Sequence, residues 1–260
     1  MKNIFIANVM VFFLCGNSVQ SQETRVSSLT LEQAVEMAER KNPQIGEAEA
    51  NVVAAGGRVK QSSAFPNPNA IARAEALPLD GKGNGEFLAG ISQEIPLNGT
   101  RSKGREVATL DRKRYESELE LARKIVRKKV QSAFATALYQ TRADETLSQI
   151  TDSARKSAAL TQARVEAGDA LPFDLARVEM ELARSEAEQK RAKSLRRQSL
   201  AALATTLGEP TLKIDSLKGT LETALEIPTL ESLVQNLANH PATTLAQREI
   251  EVQQAQLNLA

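Results

Sequence analysis

The 260-residue chain carries 33 basic and 32 acidic residues, a formal net charge of +1, which gives no concentrated positive field for a nucleic-acid partner. One Cys and one His exclude a cluster of soft metal ligands and a Cys/His catalytic pair. Aromatics are 3% with no Trp, so a compact core built on bulky rings is excluded too. The mix from Arg101 onward, rich in Ala, Leu, Glu, Lys, Arg and Gln, favours long helices instead.

The chain opens on "MKNIFIANVMVFFLCGNSVQSQET". Lys2 supplies a positive start, Ile4 to Gly16 is mostly apolar, and Val19 and Ser21 are small residues at −3 and −1 for cleavage after Ser21. This predicts a secretory signal peptide over 1–21. The apolar run is shorter than the ~20 residues a membrane span needs. Lipid attachment through Cys15 fits poorly, because bulky Leu14 precedes it. Cleavage leaves a protein without Cys outside the cytoplasm.

Helical spacing of Leu31, Ala34, Val35 and Ala38, with Thr30 and Gln33 placed as a capping box, predicts a helix. Asn42-Pro43 breaks it and opens a second helix, whose stripe of Ile45, Ala48, Val52 and Ala55 runs on to about Ser63. Together these occupy 30–64. From Phe65 the period changes to two. Pro68, Ala70, Ala72, Ala74 and Ala76 form one face, with Asn69, Ile71, Arg73, Glu75 and Leu77 on the other. After the turn-rich "PLDGKGNG", Phe87, Ala89, Ile91 and Ile95 oppose Glu86, Gly90, Ser92 and Glu94. The expectation is a β-hairpin over 67–97 with an apolar and a polar face. Alone in water such a hairpin is marginal.

A long helical hairpin is expected over 101–207. Residues 115, 119, 122, 126, 130, 133 and 137, then 143, 147, 150, 154 and 158, form a coiled-coil-like seam rich in Ala. The second arm, about Phe173 to Leu207, carries Leu175, Val178, Leu182, Leu195, Leu203 and Leu207. Between the arms, Gly168 reads as a left-handed helix stop and 169–172 as a tight turn. Gly208 and Pro210 end the second arm, and a linker runs over 208–227.

The closing stretch 228–260 resembles the region after the signal peptide. Thr229-Leu230-Glu231 matches Thr30-Leu31-Glu32 at an offset of 199, and Pro241 matches Pro43 at 198. Thr243, Ala246 and Ile250 fall opposite Ile45, Ala48 and Val52. A period near 200 is too long for a solenoid, so it predicts a duplicated module whose second copy has only begun.

The order and spacing of "LTLEQAVEMAERKNPQI", "FPNP", "ISQEIPLNGTRSKGREVA", "RVEAGDALPFDLARVEMELAR", "LGEP" and "PTLESLVQNLANHPATTLAQREIEV" resemble the outer-membrane efflux protein family, the TolC-like exit ducts of bacterial tripartite pumps. "FPNP" and "SQEIPLNGTR" look closest to its heavy-metal, CzcC-like branch. The resemblance implies a mainly α fold: a very long coiled-coil-like α-hairpin plus one amphipathic β-hairpin contributing to a trimeric transmembrane β-barrel. Three protomers of two repeats each would close twelve strands and a long periplasmic tunnel. It implies residence in the bacterial outer membrane, contact with its lipid, homotrimer formation, and partnership with a periplasmic adaptor (membrane fusion) protein and an inner-membrane pump. Energy would come from the pump, and the duct would be a passive conduit for exported solutes, with heavy-metal ions one candidate. Against the family pattern, a second hairpin and second long helix pair are missing, so 29–227 reads as a first repeat, 228–260 as the start of a second, and the chain as a fragment.

Two sets of site residues follow. Gly168 and Asp174 match the tip that meets the adaptor, and Arg73, Glu75, Glu86 and Glu94 would face a lumen or its rim. No residues read as catalytic, none as metal ligands, and no cofactor is implied. "GKGNG" at 81–85 lacks the P-loop spacing and reads as a turn. His240 sits at a helix break and reads as a cap, and "RKIVRKKV" at 123–130 as a solvated helix face. A second class stays open on the residues: a non-transporting periplasmic coiled-coil protein, structural or adaptor-like. Adaptors, however, usually set such hairpins into lipoyl-type β-domains, for which no strands are found.

Overall fold

The structure, a computed structural model, describes residues 25–75, 86–96, 98–221 and 228–259. The expected signal peptide, Ala76, Leu77, the "GKGNG" turn and the end of the 208–227 linker lie outside them. In chain order the elements are β1 (Arg25–Val26), β2 (Leu29–Thr30), α1 (Leu31–Lys41), α2 (Pro43–Ser63), β3 (Asn69–Glu75), β4 (Glu86–Ser92), α3 (Thr100–Glu166), α4 (Pro172–Thr206), β5 (Lys213–Ile214), β6 (Leu217–Lys218), α5 (Leu230–Ala238) and α6 (Pro241–Leu259).

α3 organises the rest. Its 67 residues, at 1.5 Å each, span on the order of 100 Å. The described helices include none long and apolar enough to cross a membrane. The first half of α3 lies between α2 and α6, and the second half packs along α4. Near its middle is the core: Val126, Val130, Phe134, Ala137 and Leu138 of α3 meet Ala34 and Ala38 of α1, Ile45 of α2, Leu203, Ala204 and Leu207 of α4, and Leu29, Leu212, Ile214 and Leu217. Each fully buried Leu or Val there contributes roughly 1.5–3 kcal/mol of transfer free energy.

Two short parallel ladders bind this waist. β1 pairs with β5 (Arg25↔Lys213, Val26↔Ile214) and β2 with β6 (Leu29↔Leu217, Thr30↔Lys218). The Ser216 hydroxyl donates to the Ser27 carbonyl at 2.7 Å. Arg25 Nε lies 2.9 Å from Asp215 Oδ2. That carboxylate, by hydrogen bonding first and charge second, holds the Arg25 guanidinium above its ordinary range. These pairs, nearly 190 residues apart in sequence, tie the linker after α4 to the segment leading into α1.

Helix ends follow local chemistry. The Thr30 hydroxyl accepts from Gln33 N at 3.3 Å while Gln33 Oε1 accepts from Thr30 N at 3.0 Å, so the expected capping box forms. The α1–α2 joint is held by Asn42, whose Oδ1 accepts from Gln44 N at 2.9 Å and whose Nδ2 donates to the Thr206 carbonyl at 2.8 Å. Gly208, at φ +86°, closes α4 and seats itself on this joint; a Cβ there would lie 2.2 Å from the Lys41 carbonyl oxygen. Lys41 and Glu209 form an ion pair across the same contact. The "LGEP" stretch is thus a left-handed stop pressed against α1.

The α3–α4 seam differs from the expected apolar one. In α3 it does run through Val126, Val130, Ala137 and Ala158, but between the last two it passes through Asp144 and Thr151, so that from Val130 onward the step is a strict seven residues. Ile150, placed in the seam by hydropathy, is 49% exposed. On α4 the buried positions are Ser185, Ala192 and Ser199, with Leu203 and Ala204, and Leu195 is exposed. Small side chains let the helices approach closely, and polar ones pair across the gap. Thr151 Oγ1 donates to the Ser185 carbonyl at 3.2 Å, and Arg196 Nη1 lies 3.0 Å from Asp144 Oδ2.

Candidate functional site

The structure sends the two sets of candidate residues to opposite ends of α3. One end holds the hairpin. β3 and β4 pair antiparallel in the register Asn69↔Ser92, Ala70↔Ile91, Ile71↔Gly90, Ala72↔Ala89, Arg73↔Leu88, Ala74↔Phe87 and Glu75↔Glu86. Two-residue alternation therefore puts positions 70, 72 and 74 beside 87, 89 and 91 on one face. Positions 69, 71, 73 and 75 share the other with 86, 88, 90 and 92. Arg73, Glu75 and Glu86 fall on that second face at adjacent register positions. Glu94 does not join them in the sheet, because β4 ends at Ser92 and Glu94 lies exposed two residues beyond. Pro68 and Ile95, expected in the strands, also lie outside them. The first face is apolar and uncovered, with Phe87 75% and Ile91 82% exposed.

The other end is the turn between α3 and α4. Gly168 adopts φ +79°, its N–H donating to the Val165 carbonyl at 3.0 Å while Asp169 N donates to the Arg164 carbonyl at 2.8 Å. This is the left-handed stop read from the sequence, and it satisfies carbonyls at the end of α3. Asp174 sits in the first turn of α4, where Oδ2 accepts from Leu171 N at 3.2 Å. A carboxylate there meets both an orphan N–H and the positive end of the helix dipole. Both residues build the turn. What they present is apolar: Leu171 is 67% and Phe173 75% exposed. Sequence reasoning had not singled out these two. Their signal was available, as bulky apolar side chains on either side of Pro172 in a turn that is otherwise small or acidic.

The two joints of the chain share a hydrogen-bond pattern. At α1–α2, Asn42 Oδ1 accepts from Gln44 N and its carbonyl accepts from Ile45 N at 3.1 Å and Gly46 N at 3.2 Å. At α5–α6, His240 Nδ1 accepts from Ala242 N at 3.2 Å and its carbonyl accepts from Thr243 N at 2.9 Å and Thr244 N at 3.1 Å. His240 is thus a cap, as its position suggested. The likeness stops at burial. α1 buries Ala34 and Ala38, whereas α5 buries nothing and exposes Leu230, Leu233, Val234 and Leu237. α6 buries Val252 and Ala255 rather than the expected Ile250. Among the described residues no group of three or more His, Cys, Asp or Glu side chains is arranged to hold a metal ion.

Solved structures share this arrangement. The Campylobacter jejuni CmeC outer membrane channel superposes with a TM-score of 0.71 at 18% identity, covering 100% of this chain and 61% of that one. The Vibrio cholerae outer membrane protein VceC gives 0.68 at 18% identity, covering 88% and 58%. The open state of the Neisseria gonorrhoeae MtrE outer membrane channel gives 0.65 at 19% identity, covering 86% and 53%. The chain therefore spans between half and three fifths of the length of these structures, and at such identities they establish the fold. No curated protein matches the sequence significantly. The sequence profile described as "Outer membrane efflux protein" matches residues 34–209, more than half of the chain. The chain belongs to the outer membrane efflux protein family, with its place at the outer membrane and its long helices as the periplasmic extension.

Proposed function

We propose that this chain is the exit-duct component of a tripartite efflux system, a passive conduit rather than an enzyme. One observation carries the reading: a single ~100 Å helix joins an uncovered amphipathic hairpin at one end to a tight, apolar-tipped turn at the other. The hairpin suits a transmembrane barrel, with positions 70, 72, 87, 89 and 91 toward lipid and Arg73, Glu75, Glu86 and, at the rim, Glu94 toward the lumen. Two strands alone leave open edges that a bilayer does not tolerate. Closure thus asks for further strands, and we assign these to a homotrimer in which each protomer contributes two repeats. The matching caps at Asn42 and His240 support reading 228–260 as the opening of the second repeat.

The tip is assigned to a periplasmic adaptor, with Gly168 and Asp174 holding the turn that presents Leu171 and Phe173. An inner-membrane pump supplies the energy, and substrate choice lies mostly upstream. The gate is the packing of helix ends, opened on adaptor docking. "FPNP" and "SQEIPLNGTR" favour the heavy-metal branch, with metal ions as the cargo.

Gene deletion tests the reading. Loss of the protein should sensitise its host to the exported solute, with metal salts and hydrophobic drugs assayed in parallel. Sensitivity to metal salts alone supports the metal branch, and sensitivity to drugs alone refutes it. Sensitivity to neither contradicts the duct.

A further inference from the structure

We infer that the base of the hairpin is a binding collar for anionic phospholipid headgroups of the leaflet facing the periplasm; this rests on the membrane reading above. The two legs of the hairpin are tied where they leave the helices, Gln93 Nε2 donating to the Pro66 carbonyl at 3.3 Å. Directly beside this tie the Arg101 guanidinium lies over the Phe65 ring, 3.9 Å from its centroid, with Phe65 55% exposed. Arg105 follows Arg101 one turn along the same face of α3, and Lys60 lies on the last turn of α2.

The pairing of arginines separates this place from the middle of α3. Every arginine of α3 from Arg112 to Arg155 is paired with a carboxylate: Arg112 with Glu116, Arg114 with Asp111, Arg123 with Glu49 and Glu120, Arg127 with Glu39, Arg142 with Glu145, and Arg155 with Asp152 and Glu186. Arg101, Arg105 and Lys60 are exposed and have no carboxylate partner among the described residues. The sequence itself withholds one: no Asp or Glu stands three or four positions from Arg101 or Arg105. Over 60–66 and 93–106 four cations, Lys60, Arg101, Lys103 and Arg105, face two carboxylates, Glu94 and Glu106. Lys103 Nζ is spent on the Asn258 carbonyl at 2.6 Å.

These cations sit where the exposed apolar face of Phe87 and Ile91 gives way to the polar helices. A membrane places its phosphates at that boundary. Basic residues flanking an apolar element recruit anionic lipid, and an arginine braced on an aromatic ring keeps its apolar side in the interface and its donors outward. The complement is a lipid phosphate with net negative charge, as in phosphatidylglycerol, rather than a zwitterionic headgroup.

The test uses the protein expressed from its gene and purified from the outer membrane into micelles containing phosphatidylglycerol and phosphatidylethanolamine at equal amounts. Native mass spectrometry then reads which lipid is retained. The unmodified protein should retain phosphatidylglycerol preferentially. Each removed cation should cut that preference roughly fivefold, so Arg101→Gln with Arg105→Gln should cut it about 25-fold, while Arg142→Gln leaves it unchanged. Raising NaCl to molar concentration should also abolish the preference in the unmodified protein. Retention at the mixing ratio, or an undiminished preference in the double variant, overturns the collar. Failure of the protein to appear in the outer membrane at all would instead overturn the duct reading.

Discussion

Substitution of Gly208 by alanine should be far more damaging than the same change at Gly168, although both glycines sit in the same left-handed conformation, at φ +86° and +79°. At Gly168 a new Cβ meets nothing within 4 Å, so the cost is the backbone term alone, about 1–2 kcal/mol. At Gly208 it would lie 2.2 Å from the Lys41 carbonyl oxygen, 2.6 Å from Lys41 C and 3.0 Å from Asn42 N. All three are backbone atoms, and ordinary contact begins near ~3.5 Å, so α4 and the α1–α2 joint must separate by more than ~1 Å. That shift breaks the hydrogen bond from Asn42 Nδ2 to the Thr206 carbonyl, worth about 1 kcal/mol net, and loosens the Leu203 and Leu207 packing beneath it. The total is about 3–5 kcal/mol for G208A. Urea unfolding followed by circular dichroism at 222 nm, on both variants and the unmodified chain, separates the two terms. Equal midpoints for G208A and G168A would refute the close seating of α4 on α1.

Other outcomes follow from particular contacts. Asp144→Ala strands Arg196 in the α3–α4 seam and should destabilise the hairpin by about 1–3 kcal/mol, the partial exposure of Arg196 lowering the cost; replacing both residues by leucine should restore most of the loss in thermal melts. His240→Asn should keep the cap of α6, whereas His240→Ala should cost about 1 kcal/mol, read as faster hydrogen exchange at Ala242, Thr243 and Thr244. At the tip, Asp174→Ala should remove about 1 kcal/mol of capping without changing trimer yield. A bulky residue at Gly168 should lower export in a cell-based resistance assay while the trimer persists, and unchanged export would refute an adaptor role for the turn.

Much of this was legible in the sequence because it is local. The box at Thr30 and Gln33, the Asn42-Pro43 joint, the alternation at 69–75 and the stop at Gly168 each depend on a few neighbouring residues. The waist was not legible. Its ladders are two residues long and join positions near 25–30 to positions near 213–218, so they leave no periodicity to detect. The lower seam was misread for another reason. Apolarity favoured Ile150 and Leu195, but a close-packed helix pair selects for size and pairing, and buries Thr151, Ser185, Asp144 and Ser199. The site residues divide the same way. Gly168 was legible as a helix stop from its turn chemistry and Asp174 was named only through the family resemblance, whereas the exposure of Leu171 and Phe173 is revealed only by the folded turn.

The central claim is that this chain belongs to a trimeric duct in the outer membrane. The direct measurement is separation of membranes from cells expressing the protein from its gene, followed by electrophoresis of heated and unheated outer-membrane fractions. The account predicts a trimer-sized band in the unheated sample that collapses to the monomer on boiling. Recovery only as a soluble periplasmic monomer would contradict it.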